Sequence, residues 1–313
     1  MKKYYLLSVI ALTGMGSFIS CNNKEDVVIP SGDKVEVSFA SNIATVNSVT
    51  KAAGDTWHAN DAIGVYMFEK EETNVVEEKA NIKYVTETGG STDTDGVSFE
   101  AGETVIYFPD NGEEVRFMAY YPYAGEIVDN VYKVDVSNQT SQEDIDLLYS
   151  FNQDGIYSKT TSSNVIPMTF NHKLTKIIVN VKLGTGFDES DFQDLEIHFA
   201  GLNTKANFNL IDSTLVDYSD KNVTIVPKPI TTPKDGYKAS YEAIVLPEAA
   251  ANVKTAQIVF DLNGGDIFTW NFKKELEVGT KHTYNVTINR TGIIVEATIV
   301  DWIDGGEDNV DAE

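Results

Sequence analysis

Apolar and polar residues alternate along most of this chain. Val35, Val37 and Phe39 are interleaved with Lys34, Glu36 and Ser38, the pattern of a strand with one buried face. The same period predicts strands at 62–68, 105–108, 115–121, 131–136, 176–183, 195–200, 241–246, 256–262, 267–273, 282–289 and 293–302. Turn clusters at 89–91, 110–112, 263–266 and 290–292, rich in Gly and Asn, separate them. No long segment has a 3.6-residue period. One short helix is predicted at 142–149, capped by Ser141 with Asp144 three residues on. Many short strands joined by tight turns predict an all-β chain built of antiparallel sandwiches. Between Met168 and Leu183 the alternation changes phase: Met168, Phe170, His172 and Leu174 share one parity, Ile177, Val179, Val181 and Leu183 the other. Because a one-residue slip turns every side chain over, this predicts a β-bulge near Thr175 and Lys176. The polar run 158–164 marks the expected boundary between domains at 34–163 and 164–304, with an acidic tail at 305–313.

The first twenty residues depart from this pattern. Lys2 and Lys3 precede an apolar run from Tyr4 to Leu12, and small residues follow, as in an export signal. The run is much shorter than the ~20 residues of a membrane-spanning helix. Phe18, Ile19 and Ser20 lead directly into Cys21, the single cysteine, and this segment resembles a lipobox, in which the signal is cut before Cys and the thiol carries diacylglycerol. Residues 21–33 then read as a flexible tether, with Lys24, Glu25 and Asp26 similar to the surface-export tag of lipoproteins in some anaerobic Gram-negative bacteria.

Composition narrows the chemistry. The 313 residues carry 48 Asp plus Glu against 24 Lys plus Arg, a formal charge of −24. With no clustered Lys and Arg to neutralise phosphate, this acidity argues against nucleic acid and against anionic membrane surfaces as partners. A single cysteine permits no internal disulfide. The four histidines, His58, His172, His198 and His282, show no metal-ligand spacing, and His172, in phase with Phe170 and Leu174, reads as a core imidazole. There is no nucleophile elbow and no phosphate-cradling Gly loop. Gly264 and Gly265 read as a hairpin turn. The segment 91–96 partly imitates a calcium loop, but its first position is Ser91 and its twelfth is Gly102, where a bidentate Glu belongs. Glu69, Glu71, Glu72, Glu77 and Glu78 read as a solvated acidic stretch. Trp270, in phase with Phe268 and Phe272, belongs to a core, whereas Trp57 and Trp302 fit either a core or a sugar-binding platform. No cofactor, metal or catalytic residue is expected.

Several segments together carry a resemblance. They are Thr50 to Trp57 (TKAAGDTW), Asn60 to Met67 (NDAIGVYM), Phe117 to Tyr123 (FMAYYPY), Asp146 to Tyr149 (DLLY), Phe170 to Ile177 (FNHKLTKI), Ile244 to Pro247 (IVLP) and Gly279 to Val286 (GTKHTYNV), closing at Trp302. In this order they are similar to the fimbrillin (Mfa-like) lipoproteins over nearly all of the mature chain. The resemblance implies two transthyretin-like antiparallel β-sandwich domains in tandem and a surface-exposed lipoprotein of the outer membrane. It further implies a structural subunit or accessory adhesin of a fimbria, matured by removal of its first strand and joined to other subunits by strand donation. The removable strand is then 34–40, with Val35, Val37 and Phe39 inward, and Ile293, Val295, Ala297 and Ile299 offer a matching alternation near the C-terminus. The family's usual cleavage residue is Arg. Here Lys51 holds that place, and Arg116 and Arg290 lie far downstream, so an Arg-specific protease would not cut. The alternative is a non-polymerising surface lipoprotein that binds glycans or host proteins.

Cys21→Ala is expected to abolish fatty-acid labelling of the exported chain and release it from the membrane fraction. Undiminished labelling would show that the thiol is not the acylated group.

Overall fold

The computed structural model describes residues 34–44, 56–71, 73–87, 96–152, 154–160, 163–193, 195–262 and 265–302, and from Lys34 onward the chain is one compact unit. Its first eight strands are β1 (Ser38–Ile43), β2 (Ala62–Glu69), β3 (Ile82–Val85), β4 (Val97–Ala101), β5 (Val115–Tyr121), β6 (Val131–Asp135), β7 (Leu148–Phe151) and β8 (Val165–His172). Seven of them close into a barrel in the order β1-β4-β3-β2-β5-β7-β8, with β8 paired back to β1. All pairs are antiparallel except β1 with β8, which run parallel from Ser38 opposite Val165 to Ile43 opposite Phe170. The expectation of purely antiparallel sheets therefore fails at this seam. Alternation reports which face is buried, not which neighbour a strand takes, and a long connection leaves either direction open.

The second half contributes β9 (Thr175–Leu183), β10 (Glu196–Ala200), β11 (Lys205–Asn209), β12 (Thr214–Ser219), β13 (Lys228–Pro229) and β14 (Ala239–Val245). After the single-turn helix α1 (Ala250–Val253) come β15 (Gln257–Asp261), β16 (Ile267–Asn271), β17 (Thr280–Asn289) and β18 (Gly292–Asp301). These form a five-stranded sheet β13-β14-β9-β17-β18, a three-stranded sheet β10-β15-β16, and a third sheet in which β6 joins β11 and β12. The pair β9 and β17 is also parallel.

Two cores result. The barrel interior is aromatic: Phe39 lies edge-on to Tyr84 at 4.8 Å and to Phe117 at 5.4 Å, while Trp57 contacts Phe99, Tyr121 and Phe170 at 5.0–5.3 Å. Trp57 is thus a core residue. The second core fills the space behind the barrel. Strand β2 sends Ile63, Val65 and Met67 into the barrel and Tyr66 and Phe68 into the second core; β5 divides Phe117 and Ala119 from Met118 and Tyr120 in the same way. Tyr149 on β7 stacks edge-on against Phe208 at 5.5 Å and donates its hydroxyl to the Leu210 carbonyl at 2.9 Å. Trp270 packs on Tyr284 at 4.9 Å.

Several sequence expectations need correction. Residues 142–149 are not a helix. A single turn, in which the Asp146 amide donates to the Gln142 carbonyl at 3.0 Å, runs into β7. Leu148, Tyr149 and Ser150 are buried on both sides between β5 and β8, so tertiary burial overrides the capping pattern. The phase change near Thr175 is not a bulge but a change of sheet: β8 ends in the barrel, Lys173 and Leu174 cross over, and β9 starts in the five-stranded sheet with its own parity. The handover therefore falls after the polar run 158–164, and β8 stays with the first half. The first strand lies slightly later than 34–40, and 105–108 forms only an isolated bridge, Tyr107 with Glu36. Strands β3, β4, β11, β12 and β13 have no counterpart in the sequence reading, being short or mostly polar on both faces.

One buried group makes stability depend on pH. His282, on β17 between β9 and β18, is fully buried, with Thr280 Oγ1 3.0 Å from Nε2 and Tyr284 Oη 3.3 Å from Nδ1. Desolvation, with a smaller contribution from the Lys274 charge, lowers its pKa to about 4. Between pH ~6.5 and ~4 the unfolded chain therefore binds a proton that the folded chain refuses, and stability falls as pH falls through that window, by about 3 kcal/mol at most. Denaturant melts should show that His282→Gln loses less stability than the parent between pH 6.5 and 4. Parallel losses would place the pH dependence elsewhere.

Candidate strand-exchange site at the barrel seam

β1 is the closing strand of the barrel, paired on one side with β4 (Phe39 opposite Phe99, Ser41 opposite Val97) and on the other with β8. Its lead-in is also held: the Phe108 amide donates to the Val35 carbonyl at 3.0 Å, and the Val37 amide to the Ile106 carbonyl at 2.9 Å. The Tyr84 hydroxyl donates to the Val37 carbonyl at 2.9 Å. Val37 and Phe39 are fully buried, as expected, whereas Val35 is only half-buried at the mouth. The structure adds Ser41 and Ile43, both inward and buried, which sequence reasoning missed because the polar Ser41 interrupts the apolar alternation. Withdrawing β1 would expose the ladder groups of β4 and β8 and leave an apolar slot four side chains long.

β18 is at the opposite extreme. Among the described residues it is the edge of its sheet and pairs with β17 alone, over ten residues from Gly292 opposite Asn289 to Asp301 opposite Thr280. Its core-facing Ile293, Val295, Ala297 and Ile299 are half-buried, and Ile294 on the other face is 59% exposed.

One cluster pins its end. Trp302, 4% exposed, stacks flat on His172 with ring centroids 3.9 Å apart and planes 6° from parallel. The Trp302 amide donates to the Gly279 carbonyl at 2.6 Å. His172, the last residue of β8, has its Nδ1 3.0 Å from Asp146 Oδ1. On the same Trp ring lies Lys176 Nζ at 5.8 Å from the centroid, paired at 3.0 Å with Glu242. Three of the quoted sequence segments and Trp302 thus meet at the junction of β8 and β9, beside a cavity of about 240 Å³ lined by Gln142, Lys228, Glu242 and Trp302 among others. Their spacing along the chain gives no hint of this convergence. Trp302 proves to be a core residue and His172 a buried, hydrogen-bonded imidazole.

Cys21 and Lys51 lie outside the described residues, as does the calcium-like segment 91–95. Among the described residues, no three His, Cys, Asp or Glu side chains come together as a metal site.

A model of the fimbrillin-like family matches residues 50–302. The chain belongs to that family. It is 33% identical over 311 residues to a fimbrium subunit, Fim1C, of Bacteroides uniformis, covering 96% of this chain and 94% of the relative. Among solved structures, a cell adhesion protein of the same species is 30% identical with a TM-score of 0.68, over 87% of this chain and 99% of that one. A cell adhesion protein of Bacteroides ovatus shares the fold at 22% identity and a TM-score of 0.65, over 88% of this chain and all of that one. For this fimbrillin-like chain the family match starts at Thr50, after β1, and stops at Trp302.

Trp302→Ala removes a buried aromatic stacked on a buried imidazole and is expected to cost about 3–5 kcal/mol in chemical denaturation. A change below 1 kcal/mol would show that the cluster does not hold the end of β18.

Proposed function

We propose that this chain is a structural subunit or accessory adhesin of a cell-surface fimbria and has no catalytic role. In this reading it is exported as a lipoprotein acylated at Cys21, carried to the outer membrane surface, and joined to other fimbrial subunits by exchange of a strand at the barrel seam. Family membership and a fimbrium subunit relative covering almost the whole chain support the fimbrial role. The observation that carries the assembly step is the position of β1, a strand held on both sides whose removal alone opens an otherwise closed sheet. A cut at Lys51 would fall between β1 and Trp57, detaching the strand and the lipid anchor together while leaving Trp57 with the barrel. That the family match begins at Thr50 agrees with a mature module that starts there. The two halves, handed over at Lys173 and Leu174, are read as variants of a transthyretin-like domain.

The energetics favour replacement over an empty seam. Val37, Phe39 and Ile43 are each worth ~1.5–3 kcal/mol when fully buried, so losing them costs ~5–9 kcal/mol by simple summation. That is comparable with the net stability of a domain.

A second reading, a surface lipoprotein that binds glycans, rests on a cavity of about 470 Å³ at the far end of β9. Phe187, Phe192, Lys182 and Lys238 are among its lining residues, an apolar and basic mixture.

The test is to cut the chain at Lys51 through an introduced protease site and follow the product by size exclusion and electron microscopy. Detergent-resistant oligomers or filaments are expected. A stable, strictly monomeric product would transfer the preference to glycan binding, to be measured on the same material.

A further inference from the structure

The inward side chains of β1 are not uniformly large. In order they are Val37, Phe39, Ser41 and Ile43: two bulky groups, a small one, then a bulky one. Ser41 is fully buried, and its hydroxyl has no hydrogen-bond partner. It is therefore present for its size and not for its polarity, since an unsatisfied buried hydroxyl is unfavourable. The backbone is equally tight there. Gly96, at φ +73°, lies so close that a Cβ on it would sit 3.0–3.1 Å from the Ser41 backbone. Trp57, Phe99 and Phe170 crowd the same end of the barrel.

β18 repeats this size order. Its core-facing residues are Ile293, Val295, Ala297 and Ile299, again with the small residue third. We propose that the Ser41 position is a size filter that fixes the register of a strand entering the vacated seam. β18 of a second copy then fits in one register only, with Ile293, Val295, Ala297 and Ile299 in the places of Val37, Phe39, Ser41 and Ile43. This rests on the strand-exchange reading above and specifies its partner.

The other arrangements fail physically. A shift of two residues in either direction puts Val295 or Ile299 into the small slot. A shift of one turns Glu296 inward. Reversing the strand with Ala297 kept in the slot brings Asp301 to the buried place of Val37. The surviving register runs parallel to β8, as β1 does. Its inward side chains, only half-buried in their own sheet, gain burial in the seam, which offsets part of the cost of leaving the β17 ladder and the Trp302 stack. It is not a perfect copy. Val295 underfills the place of Phe39 between Tyr84 and Phe117, so β18 should follow the loss of β1 and not displace it unaided.

The experiment uses the full chain nicked at position 51, cycled through mild heating with an excess of labelled peptide, and reads peptide retained on size exclusion. Peptide 292–301 should be retained, its Val295→Phe form at least as well, and its Ala297→Leu form at least tenfold less. Equal retention of the Ala297→Leu peptide would overturn the filter and leave strand exchange standing. Retention of peptide 34–44 alone would overturn the fit of β18 while keeping the seam exchangeable. Retention of neither peptide would overturn the strand-exchange reading and this inference with it. Independently, in the intact chain Ser41→Ala should preserve or raise the melting temperature and Ser41→Leu should lower it; an unchanged Ser41→Leu melt would show that the slot is roomy and overturn the filter.

Discussion

A closed sheet has no free edge, so each of its strands must be paired on both sides, and the one that closes the circuit decides whether the others are protected. In this chain β1 has that position, antiparallel to β4 and parallel to β8, with its side chains completing an aromatic interior. Because β1 is the first of the described strands and β2 starts only at Ala62, one cut between them would separate it from the rest. The same residues that stabilise the barrel would, once removed, define an acceptor for another strand of like alternation.

The barrel does not stand apart from the second half. β2, β5 and β7 are buried on both faces, and their outward aromatics, Tyr66, Phe68, Tyr120 and Tyr149, belong to the second core. β6 leaves the first half altogether to pair with β11. Buried contacts such as the Gln139 side chain, which both donates to and accepts from the backbone of Ile244 at 2.8 Å, lock the two together. The outward faces of the barrel strands and the second half thus share one close-packed core.

At the crossover between the two, His172 ends β8 while its ring carries Trp302 from the end of β18. The strand that flanks the seam and the edge strand at the far end of the chain are therefore in direct contact. Asp146 holds the imidazole from one side, and the Lys176–Glu242 pair borders the Trp ring. In a buried pair such as Lys176 with Glu242 the desolvation of both groups offsets much of their attraction, so it adds little net stability.

Local alternation was enough to read the all-β class and to place β2, β5, β9, β10 and β14 through β18 within a few residues, because each has one apolar face or a long apolar run. Val37 and Phe39 were legible for the same reason, and the family was legible from short segments in a fixed order. What alternation could not encode was partnership. The parallel pairing of β1 with β8, the desertion of β6, the change of sheet at Lys173 and the meeting of Asp146, His172, Lys176 and Trp302 all join residues far apart in the chain. So does the burial of Ser41, a polar residue whose role is its small volume. The sequence by itself determined which side chains must leave water; only the tertiary structure decided against which neighbours, because burial is a property of one residue and packing a property of pairs.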